Sequence, residues 1–380
     1  MYGFKCPKCG LMQLPKEKCQ SCGTALAGSK GPGHGKMTFA PGATASPLPP
    51  DVVTVQTQRG NQKGEMEETR RLSFHGAGGT LFGIYLLNTF LTIFTLGIYS
   101  FWGKTKVRSY LWSQTELEGD CFVYHGTGKE LMSGTSKAML FFGVPLTILN
   151  MLPNFLEPKG MLETGSMVLT YIIVMIFIPV AMVGARRYRL SRTSWRGIRF
   201  SFRGKIGDFM KIFLGGGFLT ALSLGFYYPF FVVRRQEFMM GNSYFGNRRF
   251  EFDGSGRDLF KPYLLALLLT LPTLGLSWFW FLAKKQRYCW GHTHLDAIHF
   301  ESTVTGGRLL ALHLTNLLLL VFTLGVAWSW VVVRNIRFAF TYLTLEGVVD
   351  PAMIRQEAQA ASATGDALAG LMDAGFDLGT

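Results

Sequence analysis

The stretch Phe94-Thr95-Leu96-Gly97-Ile98-Tyr99-Ser100-Phe101-Trp102 frames the chain, because its Thr-Leu-Gly centre returns as Ser223-Leu224-Gly225, Thr273-Leu274-Gly275 and Thr323-Leu324-Gly325. The last three stand 50 residues apart. Upstream of each lies an apolar run: Leu81–Phe94, Phe209–Leu222, Leu259–Leu271 and Leu309–Phe322. Downstream come an aromatic residue (Trp102, Phe230, Trp280, Trp330), then a cation (Lys106, Arg234, Lys284, Arg334), then a second aromatic (Tyr110, Phe238, Tyr288, Phe338). A period near 50 signals a supersecondary unit used repeatedly. A divergent unit fits between the first and the next. Its apolar runs Met139–Leu152 and Met167–Val183 are joined by Pro153-Asn154-Phe155-Leu156-Glu157-Pro158, read as a loop, and Arg186 and Tyr188 fall in register with Arg108 and Tyr110. That makes about five units.

Between the units the pattern changes to period two. Thr115-Glu116-Leu117-Glu118-Gly119 leads to Phe122-Val123-Tyr124-His125-Gly126, and the same design recurs at Ser194–Gly204, Ser243–Gly254 and Thr293–Phe300. Alternation broken by a Gly, Asn or Asp turn reads as a β-hairpin. The first unit opens with a second strand alone, Leu72-Ser73-Phe74-His75-Gly76, and the last ends with a first strand alone, Thr344-Leu345-Glu346-Gly347. Pairing of these two halves would close a ring of five hairpins.

Each apolar run before the glycine has about 14 residues, roughly 21 Å as helix, whereas the hydrocarbon core is about 30 Å thick. Either the run continues across the glycine as one span, or the chain bends there into a helical hairpin. Charge favours the hairpin. Arg186, Arg187, Arg189, Arg192, Arg196, Arg199, Arg203 and Lys205 follow the second unit with no acid among them, and single spans would place that segment outside, against the positive-inside rule. Hairpins put every inter-unit segment on the cytosolic side and leave Pro153–Ser166 as the sizeable outer loop. Six to ten spans are expected, with six to eight visible to hydropathy. The fold class is therefore a mostly α-helical polytopic membrane protein with internal repeats, short cytosolic β-hairpins between helical hairpins, and a small N-terminal metal module.

Composition agrees. Of 380 residues, 48% are hydrophobic and 16% charged, below the roughly 25% of soluble domains. The net charge of +14 is accounted for by basic loops beside apolar segments, so no nucleic-acid partner is expected. Residues 1–70 hold no apolar segment of signal-peptide type. They do hold Cys6-Pro7-Lys8-Cys9-Gly10 and Cys19-Gln20-Ser21-Cys22-Gly23. Two Cys-x-x-Cys knuckles, each with a glycine to turn the backbone, bring four thiolates to one ion. Four ligands close the tetrahedron, so Cys6, Cys9, Cys19 and Cys22 imply a structural Zn2+. Thiolate sites belong to reducing compartments, which places the N-terminus in the cytosol. The domains are then residues 1–26, a zinc ribbon; 27–69, a Gly/Pro-rich flexible linker; 70–347, the membrane repeats; and 348–380, an acidic, loosely ordered tail.

Phe74-His75-Gly76-Ala77-Gly78-Gly79-Thr80-Leu81-Phe82, Thr95 through Arg108, and Tyr124-His125-Gly126-Thr127-Gly128-Lys129-Glu130-Leu131 resemble the YjgN-like family of bacterial inner-membrane proteins, over roughly residues 70–347. The resemblance implies an inner-membrane location. The family is a domain of unknown function, so it transfers no catalytic or binding residue. The ribbon and linker depart from its simplest members.

Within the spans, Asn88 and Asn316 occupy equivalent positions, and His313 lies one turn from Asn316 on the same face. They are packing glue or, on the sharper reading, the polar lining of a path through the bundle. His292 and His294 form a His-x-His pair with no third ligand apparent. His75, His125, Arg203 and Asp253 precede equivalent glycines and are candidates for one rim of the β layer. The aromatic–cation spacing reads as headgroup anchoring. No P-loop, Gly-x-Ser-x-Gly, His-Glu-x-x-His or intramembrane acidic pair occurs, so no enzyme is expected. Two functions remain: a channel or transporter-like bundle in the bilayer, or a membrane-anchored scaffold or sensor whose ribbon recruits a cytosolic protein.

Overall fold

A computed structural model describes residues 4–5, 12–13, 70–156, 160–347 and 354–356. Two compact units emerge, Met1–Lys63 and Gly64–Thr380. In the first, β1 (Phe4–Lys5) pairs antiparallel with β2 (Met12–Gln13), Phe4 opposite Gln13. Cys6, Cys9, Cys19 and Cys22, the linker, and the tail apart from residues 354–356 lie outside the described residues.

In the second unit, strands β3 (Arg70–Phe74), β4 (Thr115–Leu117), β5 (Asp120–Cys121), β6 (Val123–Tyr124), β7 (Thr193–Trp195), β8 (Ile198–Phe202), β9 (Ser243–Phe245), β10 (Arg248–Phe252), β11 (Thr293–Leu295), β12 (Ile298–Ser302) and β13 (Leu343–Glu346) form one antiparallel sheet. The expected short hairpins thus join in a single continuous layer. Its order runs β5-β4-β3-β13-β12-β11-β10-β9-β8-β7-β6, and β5 and β6 are parted by Phe122 alone, so the sheet is an almost closed ring. The two half-hairpins pair as their patterns suggested, Thr344 opposite Arg71 and Leu345 opposite Arg70. Strand β8 shows how the ring turns: Ile198 and Arg199 pair back to β7, while Phe200, Ser201 and Phe202 pair forward to β9. Splitting each long strand between two neighbours staggers the register, which is what closure of a sheet requires. The turns Glu118-Gly119 and Arg196-Gly197 have positive φ at both residues, matching the right-handed twist of the strands they join.

After each hairpin the chain leaves the sheet as a pair of helices: α1 (Gly78–Phe94) and α2 (Ser100–Ser113); α3 (Gly128–Ala138), a π-helical bulge at Met139–Gly143 and α4 (Val144–Leu156), returning as α5 (Met161–Ser191); α6 (Ile206–Leu222) and α7 (Tyr228–Gly241); α8 (Gly256–Leu268) and α9 (Ser277–Gly291); α10 (Gly306–Phe322) and α11 (Trp328–Thr341). Each helix packs on the next, and α1 packs on α11, so the helices ring the sheet's edge. The bend at the glycine is present in every short pair. Two helical stretches, Gly128–Pro153 and Met161–Ser191, are long and apolar enough to cross a bilayer; the apolar arms Gly78–Phe94 and Gly306–Phe322 fall short. Pro153 lies inside α4, not in a loop, and α5 begins at Met161. In α8 the arm stops at Leu268, because Pro272 cannot donate and pushes Leu271 out of the helical region.

The structure explains the Thr/Ser-Leu-Gly signature. Leu96, Leu224, Leu274 and Leu324 take φ of 49–51°, and the following glycines 84–95°. Left-handed leucine costs about 1 kcal/mol, and it ends the first helix by letting the glycine N–H reach back, as from Gly97 to Thr92 O at 2.7 Å. The hydroxyl before the leucine then starts the second helix. Thr95 Oγ1 accepts from the Tyr99 N–H at 2.9 Å, Ser223 Oγ from Tyr227, Thr273 Oγ1 from Ser277 and Thr323 Oγ1 from Ala327.

Units are joined by an aromatic ring on a glycine. The backbones of Gly128, Gly256, Gly306 and Gly78, each in the first turn of a helix, lie against Trp102, Phe230, Trp280 and Trp330 of the preceding pair, the last contact closing the ring. These aromatic side chains therefore act as spacers between helices, a role that the spacing alone did not show. The backbone N–H groups of His75, His125, Arg203, Asp253 and Thr303 donate to Gln114, Arg192, Asn242, His292 and Tyr342 O, tying strand to helix end in each unit.

Candidate functional site

Two places qualify as a site: the axis of the ring, and the polar side chains among the helices. At the β level the axis is filled. Phe122, Trp195, Phe245, Leu295, Ile298 and Leu345 come from strands all around the sheet yet form one buried cluster, so they converge inward. Trp195 lies 6.3 Å from Phe122 and 5.9 Å from Phe245, and Phe200 lies 4.7 Å from Phe245 between ring centres. Ile354 joins this cluster, Arg355 N–H donates to Asn247 Oδ1 at 3.1 Å, and Gln356 Oε1 accepts from Arg199 N–H at 2.7 Å. That part of the C-terminal segment is docked on the sheet, against the expectation of a loose tail throughout.

The three candidate lining residues are not brought together. Asn88 is 7% exposed and donates to Gly103 O at 3.3 Å, across its own helical hairpin. Asn316, 6% exposed, donates to Asn335 Oδ1 at 2.7 Å, again within its hairpin. His313 turns to its own helix, Nδ1 at 2.9 Å from Leu309 O, with its ring beside Phe279. The equivalent asparagines therefore fasten first arm to second. Each leaves its carbonyl oxygen buried without a donor among the described residues. An open apolar groove of about 460 Å³ runs along α5, lined by Met161, Thr164, Gly165, Val168, Leu169 and Ile172.

The sheet's outer face carries a polar constellation whose pieces the sequence showed without their connection. The register sets His294 opposite both Glu251 and His299. His294 and His299 share a contact at 2.9 Å through their Nδ1 atoms, while His294 Nε2 lies 3.3 Å and His292 Nδ1 2.7 Å from Asp253 Oδ1. His294 thus faces two partners with opposite ring nitrogens. That geometry makes a chain and not a cage, and no group of three or more metal-ligating side chains surrounds one point among the described residues. Burial works to raise the Asp253 carboxyl, but the hydrogen bonds and charge of His292 and His294 outweigh it and hold it below its ordinary value of 3.8. A carboxylate so held stabilises the fold above its unfolded value and loses that contribution as pH falls through the folded one. Asp253 is 64% exposed, so the effect is small. In a pH series of thermal midpoints, wild type should stand above Asp253→Asn near about pH 6 and converge with it near about pH 2. Midpoints that separate further in acid would contradict the pairing.

The remaining rim candidates serve local roles. His125 Nε2 lies 2.8 Å from Ser194 Oγ, and burial, then the Arg199 and Arg192 guanidiniums, keep its imidazole below the usual value and so neutral near pH 7. His75 lies 2.8 Å from Glu116, and Arg203 stacks over Tyr244 at 4.2 Å. At the foot of α5, Arg192 grips Glu130 at 2.8 and 3.1 Å while the buried Tyr188 hydroxyl donates to Glu130 at 3.0 Å. This clamp joins α3 to α5.

Comparison with known proteins agrees with the resemblance. The family model described as "Bacterial protein of unknown function (DUF898)" matches residues 69–276 and 263–371. Inner membrane protein YjgN of Escherichia coli K12 is 33% identical over 137 residues, 36% of this chain and 32% of that protein. Its counterpart from Salmonella typhimurium LT2 is 30% identical over 132 residues, 35% and 31% respectively. The matches span about a third of the relatives' length. No solved structure matches. The long apolar helices and these relatives together mark a membrane protein, and with the family model covering most of its length, the chain belongs to the bacterial family of unknown function DUF898.

Proposed function

We propose that this is a multi-pass protein of the bacterial inner membrane, with a cytosolic N-terminus, that acts as an anchored scaffold and not as a pore. The observation that carries the reading is the buried apolar cluster that fills the described part of the sheet ring. Asn88, Asn316 and His313, spent on contacts within single hairpins or helices, support it as well. The recurrence of hairpin, helix, turn and helix supports an internal repeat of about 50 residues. The basic run from Arg186 to Lys205, beside the sheet, supports a cytosolic ring.

The platform then displays the N-terminal unit. Strands β1 and β2 flank the segment holding Cys6 and Cys9, and such a hairpin suits a zinc knuckle. Cys6, Cys9, Cys19 and Cys22 would hold a structural zinc that rigidifies the ribbon as a contact surface for a cytosolic protein. No catalytic step is assigned. Purified protein should contain about one zinc per chain, and Cys6→Ser/Cys9→Ser should lose it while remaining in the membrane fraction. Zinc retained in the variant would remove the ribbon. Solute flux in proteoliposomes should equal that of empty vesicles; flux above that level which falls in Asn88→Leu or His313→Leu would replace the scaffold with a channel.

A further inference from the structure

The four short helical pairs end in tips with a common and unusual chemistry. Leu96, Leu224, Leu274 and Leu324 are 95%, 87%, 93% and 93% exposed, and around them Phe94, Leu222, Leu271 and Phe322 are exposed too. An apolar side chain held in a strained left-handed conformation is a poor choice for a turn in water, where Asn or Gly would serve. The turns are nevertheless closed to hydrogen bonding. In the first, the N–H groups of residues 95 to 100 all donate internally, to Leu91, Ile93, Thr92, Thr95, Thr95 Oγ1 and Gly97 in order. The turns at 223–228 and 323–328 repeat this donor for donor. Satisfying these donors without solvent removes one part of the cost of placing a backbone turn in hydrocarbon.

Charge sets the depth. Lys106, Arg234, Lys284 and Arg334 each stand ten residues past the tip leucine and are exposed. The second helices begin at Ser100, Tyr228, Ser277 and Trp328, so the cations lie about 10 Å of helix beyond the turn, within one half of a hydrocarbon core about 30 Å thick. On the first arms, Lys211 and Lys261 stand 13 residues before the tip. The fifth pair differs. Between Glu163 and Arg186, α5 runs for about 34 Å without a charge, enough to cross.

We infer that the four short helical hairpins are re-entrant wedges: they enter the leaflet facing the sheet ring, stop with Leu96, Leu224, Leu274 and Leu324 near the bilayer midplane, and set their cations against the anionic lipid headgroups of that leaflet, while the α3–α5 pair alone crosses. This rests on the membrane-anchored reading above and assigns its topology. Two spans, not ten, then suffice, and the bulk of the inserted protein lies in one leaflet.

The test uses the full chain with its native cysteines replaced by serine and single cysteines at Leu96→Cys, Leu224→Cys, Leu274→Cys, Leu324→Cys and Gly160→Cys, reconstituted in vesicles of phosphatidylethanolamine and phosphatidylglycerol. Nitroxides at the four tips should show high oxygen and low nickel-chelate accessibility, with depths near the midplane. Membrane-impermeant maleimide should miss the tips from both sides and label Gly160→Cys from the side opposite the ring. Tip labelling from that opposite side makes the short pairs spans and overturns the inference while keeping the membrane reading. Tip accessibility to water-soluble reagents, with the parent released by carbonate, sinks both; with the parent retained, it sinks the wedges alone.

Discussion

Trp195→Ala should lower the stability of the membrane unit by about 3–5 kcal/mol, the cost of emptying a large buried aromatic site that cannot collapse. Trp195 is 6% exposed at the centre of the cluster that fills the sheet ring, touching both Phe122 and Phe245. Its Nε1–H also donates to Asp120 O at 3.3 Å, across the interface of two hairpins. The site is walled by strands of a nearly closed ring, so neighbours cannot close in without breaking register. Trp195→Phe keeps most of the volume and should cost less than half as much. Chemical denaturation in detergent, with intrinsic fluorescence as readout, measures both. Equal and small losses would mean that the ring has an open lumen, and the argument against a path through it would fail.

Gly306→Val should cost about 3 kcal/mol, at the upper end for overpacking. A Cβ at Gly306 would stand 2.8 Å from the backbone Cα of Trp280 and 2.7 Å from its indole, so rotamer changes alone cannot relieve it. The neighbouring Gly307 has nothing within 4 Å of an added Cβ, so Gly307→Ala should be neutral or raise stability by up to about 1 kcal/mol. Thermal midpoints of the pair separate the two effects. The same contrast applies at Gly78, whose Cβ would meet the Trp330 ring at 2.5 Å, and Gly79, which faces open space. Comparable losses at 306 and 307 would show that the contact between units does not set the cost.

These contacts mark where the sequence was legible and where it was not. The Thr/Ser-Leu-Gly tripeptide announced a bend because its glycine and hydroxyl act on the local backbone, and the local backbone is what sequence encodes most directly. The half-hairpins at Leu72 and Thr344 announced their pairing because period-two patterning marks both as strands lacking a partner. The tryptophan-on-glycine joints were not visible, since spacing along one helix cannot reveal the facing residue on the next. Asp253, His292, His294 and His299 were visible singly. Their chain of contacts depends on strand register, which puts His294 opposite His299 and beside the strand leading to Asp253. Asn88 and Asn316 were correctly equivalent, and the structure spends both on holding hairpins together. Six to ten spans were expected, whereas two helical stretches among the described residues are long and apolar enough to cross, because the apolar runs were counted without the helix lengths that the bends leave. Ile354 escaped notice because one apolar residue in an acidic tail carries no periodic signal.

Closure of the ring by its two distant half-hairpins is the claim on which the rest depends, since it fixes the filled interior, the circular helix packing and the common direction of the tips. The direct measurement is a disulfide between Arg71→Cys and Thr344→Cys in a chain whose native cysteines are replaced. These residues are register partners, and opposed residues of antiparallel strands lie about 4.5–5.5 Å apart at Cα, within disulfide range. Glu251→Cys/His294→Cys, partners on adjacent hairpins, provides the reference. Mild oxidation should cross-link both pairs, each giving a reductant-sensitive shift in gel mobility. A cross-link at 251–294 with none at 71–344 would show an open sheet and contradict the account.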